Sequence, residues 1–230
     1  MIRDAIVKVA AGNDLTEVEA TEAMQELMTG EATPAQVGAF LTALRIKGES
    51  VDEIVGMARV MRDKALHVDV PGVLLDTCGT GGDGMNTFNV STAAAFVCAG
   101  AGVRVAKHGN RAATSTSGAA DVLEALGAKI ELTPEQVAHC IEKSGVGFMF
   151  AQAFHPAMRF VAPVRREIGI RTIFNFLGPL TNPAGAQCQL LGVGDASVAP
   201  KVAAALGRLG TKRALVVHSE DGLDEVSLSA

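Results

Sequence analysis

Tryptophan and tyrosine are absent from this 230-residue chain, and nine phenylalanines supply all of its aromatic content. Single-strand nucleic-acid binding leans on such rings for base stacking, so that class loses ground. Positive charge is also scarce. Twenty Lys and Arg stand against 25 Asp and Glu, a formal net charge of −5. Broad neutralisation of a nucleic-acid backbone calls for the opposite balance. An acidic protein can still hold a highly phosphorylated small molecule, given backbone N–H groups, a few local cations and a metal ion. The four cysteines, Cys78, Cys98, Cys140 and Cys188, are widely spaced with no CxxC pair, which argues against a disulfide framework or a zinc site. No apolar run is long enough to span a bilayer, and the charged, amphipathic N-terminus has no apolar core of signal length. The reading is a cytoplasmic protein with no membrane and no nucleic-acid partner.

What the chain does have is helix punctuation, then strand–helix alternation. Thr16–Glu19, Thr33–Gln36 and Ser50–Glu53 each read as a capping box, with Pro34 at a first helical position and Gly30 and Gly48 as stops. Apolar Val37, Phe40, Leu41 and Leu44 recur at helical spacing. Residues 1–70 are therefore expected to form a small helical domain, with Pro71-Gly72 marking its end. Beyond it, short apolar runs predict strands at Val73–Asp76, Val103–Ala106, Lys129–Leu132, Gly147–Phe150, Gln189–Val193 and Ala214–His218. Helices are expected at Ser91–Ala99, Ala119–Leu126, Pro134–Lys143, Pro156–Ile168 and Val198–Leu209. That alternation predicts an α/β domain over 71–230 with a mostly parallel central sheet, and ligands at the carboxyl ends of its strands. Val226–Ala230 reads like the start of a further strand, so the expected α/β domain looks cut short at the C-terminus.

Four segments carry the chemistry. Asp76 to Thr92, DTCGTGGDGMNTFNVST, follows a predicted strand and precedes a predicted helix. Its glycines Gly79, Gly81 and Gly82 let successive N–H groups converge on an anion, and the helix N-terminus adds partial positive charge. It is neither a dinucleotide-binding fingerprint nor a P-loop, and a structural glycine turn is the competing explanation. Lys107 to Arg111, KHGNR, places a cation, a glycine and an amide just after a strand, with a polar stretch from Thr114 to Gly118 behind it. The third segment holds Arg165, Arg166 and Arg171, any of which suits a bidentate grip on a carboxylate, although a structural ion pair explains a lone arginine equally well. The fourth, Ser219 to Glu225, puts Asp224 and Glu225 after a strand, where paired carboxylates suit a hydrated Mg ion; an ordinary acidic loop is the alternative.

In order and context, GTGGD…TFNVST, KHGNR, RTIFNFLGPLTNPA and GLDE resemble the anthranilate phosphoribosyltransferase family of tryptophan biosynthesis, over the whole chain. The resemblance implies a small helical domain joined to a larger α/β domain of the nucleoside phosphorylase/phosphoribosyltransferase type, with homodimers formed through the helical part. It implies that 5-phosphoribosyl 1-diphosphate binds at Gly79, Gly82, Asp83, Thr87, Asn89, Val90, Ser91, Thr92, at Lys107, His108, Gly109, Asn110, Arg111, Ala112, Ala113, Thr114, Ser115, and at Ala119. Anthranilate would be held by Gly79, Asn110 and Arg165, and two Mg ions by Ser91, Asp224 and Glu225. No residue is assigned as acid or base. Members commonly carry serine at the positions of Thr114 and Ala119; Ala119 lacks the hydroxyl, which leaves that phosphate contact open. Two other readings stay in play. A pyrimidine nucleoside phosphorylase shares the two-domain plan and a glycine-rich phosphate loop. A non-catalytic relative that binds nucleic acid is the second.

Overall fold

The structure, a computed structural model, describes residues 1–85, 87–112 and 117–228. The chain divides into two compact units, and neither is a continuous stretch of sequence. One comprises Met1–Ala65 and His155–Thr181, the other Leu66–Phe154 and Asn182–Ala230.

The first unit opens with α1 (Ile2–Ala10), α2 (Glu17–Thr29), α3 (Pro34–Lys47) and α4 (Val51–Asp63). All three expected capping boxes form. Thr16 accepts from Glu19 N–H at 3.3 Å while Glu19 accepts from Thr16 N–H at 2.8 Å. Thr33–Gln36 and Ser50–Glu53 repeat the exchange. Each cap contributes about 1 kcal/mol and fixes where its helix starts. Glu53 does more than cap. Fully buried, it also accepts from Leu15 N–H at 2.9 Å and from the Lys47 ammonium at 2.9 Å, so three segments share one carboxylate. Met24, Leu27, Phe40, Leu41, Leu44, Ile54 and Met57 are fully buried and form the centre of this unit.

Residues 155–181 complete it. One helix was expected over Pro156–Ile168, but a 3₁₀ turn (Pro156–Phe160) and a separate helix, α9 (Ala162–Ile168), are found. Pro163 is the reason: it has no N–H to donate and its ring would strike the carbonyl of Arg159 in a continuous helix, so it sits in the first turn of a new one. Phe174–Leu180, read from sequence only as a site segment, forms α10.

The second unit is a five-stranded, all-parallel sheet in the order β3-β2-β1-β4-β5. Its strands are β1 (Leu75–Gly79), β2 (Val105–Gly109), β3 (Val146–Phe150), β4 (Cys188–Gly192) and β5 (Arg213–Val217). The connecting helices are α5 (Val90–Gly100), α6 (Ala119–Ala125), α7 (Pro134–Ser144), α8 (Ala151–Phe154) and α11 (Ala199–Arg208). The strand expected at Lys129–Leu132 is absent. That stretch carries one buried side chain, Ile130, packed with Ala119, Ala120, Leu123, Phe148 and Phe150, so its apolar signal is a single anchor rather than a paired strand. Strand order grows outward in both directions from β1 and β4. The switch point therefore falls between those two strands, and a crevice belongs at their carboxyl ends.

Candidate active site

At the switch point Gly79 of β1 pairs with Gly192 of β4. Neither has a side chain, and Asp224 occupies the space. A Cβ on Gly79 would lie 3.1 Å from Asp224 Oδ2, and one on Gly192 would overlap the Asp224 carbonyl oxygen. Gly194 is equally constrained, since a Cβ there would lie 2.9 Å from the Gly81 carbonyl oxygen and 3.1 Å from the Asp83 nitrogen. Thr80 fastens the loop to β4: its N–H donates to Gly192 O at 2.9 Å and its hydroxyl accepts from Gly194 N–H at 3.1 Å. Gly81, Gly82 and Gly84 take φ of 64°, 80° and 74°, a region costly for residues with a Cβ. The glycine-rich segment is thus a loop with a fixed path.

Three carboxylates gather beside it. Burial, then the charge and hydrogen bond of Asp83, raises the Asp224 carboxyl. Burial, then the charge of Asp224, raises Glu225 to about 7, and Lys107 only partly offsets this. Asp83 Oδ2 is buried with no donor among the described residues unless Asp224 is itself protonated. Crowded, half-buried acids of this kind are what a cation would relieve. Among the described residues no group of three or more His, Cys, Asp or Glu is arranged to hold a metal by itself. Mg keeps water and takes only one or two carboxylates plus phosphate oxygens, so the chemistry of this oxygen donor set suits it. The acidic loop is held from behind by Ser219, whose hydroxyl donates to Glu225 O at 2.6 Å and accepts from Ser227 N–H at 3.0 Å.

Lys107 lies underneath. It is buried, and its ammonium donates to Thr77 O and, at 3.2 Å, to Ser91 Oγ. Burial lowers its pKa, while the charges of Asp76 and Glu225 oppose that shift. Its charge sits one layer behind the loop, where it holds Ser91 at the start of α5. Asn89 caps α5, accepting from Thr92 N–H at 3.1 Å and from the Thr92 hydroxyl. Val90 N–H donates to Phe88 O at 2.7 Å, so in this first turn Ser91 N–H is the donor left for an anion. Thr87 is exposed in the same loop.

The KHGNR segment runs off the end of β2. His108 is buried, and its N–H donates to Asp76 Oδ1 at 3.3 Å. Gly109 is pressed against Phe148 and Ala119. Asn110 is exposed, with its Oδ1 accepting from Arg111 N–H at 2.8 Å. The Arg111 guanidinium is engaged by Glu124 and Asp121 and lies over the Phe150 ring at 5.5 Å. Ala112 N–H donates to Asp121 Oδ2 at 2.9 Å. Ala119 is buried in the apolar cluster and brings only its backbone N–H. Ala113, Thr114 and Ser115 lie outside the described residues. Arg165 belongs to the helical unit, on α9, where its guanidinium stacks on Phe174 at 4.9 Å and burial lowers its pKa.

Sequence reading missed Gly192 and Gly194, whose lack of a Cβ admits Asp224 and the glycine loop. The signal was a Gly-Val-Gly at a strand's carboxyl end. It also missed Asp121, which carries no motif of its own, and the buried pairing of Asp76 with Asn182, which belong to two different segments.

Two sequence-family models match the chain: the glycosyl transferase family helical bundle domain over residues 3–65 and the glycosyl transferase family a/b domain over residues 71–230. The anthranilate phosphoribosyltransferase of Chloroflexus aurantiacus is 64% identical over 228 residues, 99% of this chain and 67% of that protein. The crystal structure of anthranilate phosphoribosyltransferase from Thermus thermophilus superposes with a TM-score of 0.92 at 54% identity, covering 98% of this chain and 68% of that one. The Saccharomyces cerevisiae enzyme, in complex with phosphoribosyl diphosphate and Mg, gives 0.91 at 33% identity over 98% of this chain and 68% of that one.

Proposed function

Given that the chain belongs to the anthranilate phosphoribosyltransferase family, we propose that it transfers the phosphoribosyl group of 5-phosphoribosyl 1-diphosphate to the amine of anthranilate. The products are N-(5-phosphoribosyl)anthranilate and diphosphate. The observation that carries the reading is the switch-point crevice. A fixed glycine loop, a capped helix N-terminus and three crowded carboxylates sit at the carboxyl ends of one parallel sheet.

The reaction breaks the bond from the anomeric carbon to diphosphate and forms one from that carbon to the amine nitrogen. Charge builds on the leaving diphosphate, so the barrier depends on donors already aimed there. The N–H groups of Gly82 and Asp83 in the glycine loop and of Ser91 at the start of α5 supply them, while those of Thr80, Val90 and Thr92 hold the loop and the helix start in shape. Lys107 adds positive potential from behind and keeps Ser91 in place. The turn from Gly109 to Ala112, at the carboxyl end of β2, borders the ribose phosphate side, and Ala113, Thr114 and Ser115, outside the described residues, are assigned to the same side. The aromatic amine is a neutral nucleophile, so no residue needs to act as a strong base. Asn110 and Arg165 recognise anthranilate, Arg165 through its carboxylate. Mg, held by Asp224, Glu225 and Ser91 as two ions, supplies charge neutralisation at the diphosphate when bound. The helical unit, residues 1–70 in the main, is the dimerisation surface, and the enzyme works in the cytoplasm; no helix among the described residues is long and apolar enough to cross a membrane.

The test is direct. Anthranilate fluorescence should decay when phosphoribosyl diphosphate and Mg are added to the 230-residue chain, and a flat trace at high enzyme concentration would overturn the reading.

A further inference from the structure

We propose that Asp121 is a positioning residue for the sugar diphosphate, holding together the two ends of segment 112–118 beyond the KHGNR run. This rests on the function proposed above. One oxygen, Oδ2, accepts from Ala112 N–H at 2.9 Å and from Gly118 N–H at 2.8 Å. The other, Oδ1, accepts from the Arg111 guanidinium at 3.2 Å. The two backbone strands meet so closely that a Cβ on Gly118 would overlap the main chain of Asn110, Arg111 and Ala112. Ala120 N–H completes the closure, donating to Asn110 O at 3.2 Å.

Asp121 is itself fixed from below. Its neighbours Ala119, Ala120 and Leu123 on α6 are buried against Phe148, Phe150 and Ile130. A third-position acid that only capped α6 would account for the Gly118 bond. It would not account for the bond to Ala112, nine residues upstream in sequence. That second bond makes the carboxylate a clasp. It sets where the backbone from Asn110 to Ala112 lies, and with it how closely that turn approaches phosphate and ribose. The acid itself touches neither substrate. Its carboxyl is held below the ordinary range by those two N–H groups first, so the clasp stays charged at neutral pH.

The experiment measures phosphoribosyl diphosphate binding calorimetrically, with Mg, for the 230-residue chain and for Asp121→Ala, Asp121→Asn and Glu124→Ala, alongside both KM values and thermal melts. Asp121→Ala leaves two N–H groups without a charged acceptor and should weaken phosphoribosyl diphosphate roughly tenfold or more. The KM for anthranilate should stay within about twofold. Asp121→Asn keeps an acceptor oxygen and should recover most of the loss, to about threefold. Glu124→Ala removes only the second partner of Arg111 and should match the parent. If Asp121→Ala does not fold, Asp121→Asn decides alone. Unchanged sugar-diphosphate affinity in a folded Asp121 variant overturns the clasp while leaving the function standing. Equal weakening of both substrates with a lowered melting temperature also overturns it. A parent chain that binds no phosphoribosyl diphosphate overturns the functional reading itself, and the clasp with it.

Discussion

The Asn182 amide donates to Asp76 Oδ2 at 2.8 Å and to Ala106 O at 2.8 Å, both inside the sheet unit. Asp76 is fully buried at the root of the glycine loop and also accepts from His108 N–H. One amide thus ties the chain re-entering after residue 181 to both β1 and β2. Asn182→Leu fits the space but strips a buried carboxylate and a buried carbonyl of their donor. The expected loss is about 2–4 kcal/mol of unfolding free energy. Urea denaturation of parent and variant measures it, and a loss below about 1 kcal/mol would mean the pair is dispensable.

The same acid shapes the response to pH. Burial above all raises Asp76 from 3.8 to about 6. Between those values the folded chain holds a proton that the unfolded chain has released, so this group's contribution falls as pH rises, by on the order of 3 kcal/mol. His155 runs the other way. Burial lowers it from 6.5 to about 4, so over that window the unfolded chain holds the extra proton and stability rises with pH by a similar amount. Asp76→Asn removes the falling contribution of this one acid and leaves the other titrating groups in place. Variant stability minus parent stability should therefore grow by on the order of 3 kcal/mol as pH goes from about 4 to 6. A difference that stays flat across that window would contradict this assignment.

Gly192→Ala tests the close approach of Asp224. The added methyl cannot coexist with the Asp224 carbonyl where it stands, so the acidic loop must move. The strand itself accepts alanine, since no positive φ is recorded at this glycine. Turnover should drop at least about tenfold, with a melting temperature lowered by only a few degrees. Steady-state assays beside calorimetry separate the two effects, and full activity would show that the approach has slack.

Removing the carboxylates should weaken Mg selectively. In Asp224→Asn with Glu225→Gln the Mg concentration for half-maximal activity should rise by about an order of magnitude or more, and chelation should silence the parent. A Mg titration that superposes on the parent's would take the metal role from this pair.

For Arg165→Ala the expected change is in anthranilate KM, up roughly tenfold to a hundredfold for loss of a bond to a charged group, with kcat within a few-fold. Arg165 also stacks on Phe174, so a melt must accompany the kinetics. An unchanged KM would remove Arg165 from recognition of the acid.

What could be read from sequence was local. Thr16, Thr33 and Ser50 announced their helices because a capping box closes within four residues. The glycine loop, KHGNR and the Asp224-Glu225 pair were legible because strand ends and turn chemistry are short-range. What could not be read needed distant partners. Nothing near Gly192 says that Asp224 will press against it. Asp76 read only as the last residue of an expected strand until Asn182, far along the chain, arrived beside it. Lys107 looked free to meet phosphate, yet the fold gives its ammonium to Thr77 O and Ser91 Oγ. The Lys129–Leu132 run had the composition of a strand, but no neighbouring edge takes it up. Pro163 was visible throughout, and its break in the helix could have been anticipated.

The interleaving of the two units bears on how the chain is made. When α1 to α4 leave the ribosome, the 155–181 stretch that completes their unit has yet to be synthesised, and residues 66–154 must emerge first. That intervening stretch in turn waits for β4, the strand that lies beside β1. The helical unit has all its residues only at Thr181, and the sheet unit only after that. Nascent chains stalled before residue 155 should therefore stay sensitive to protease along both halves, becoming resistant only once the later segments are free.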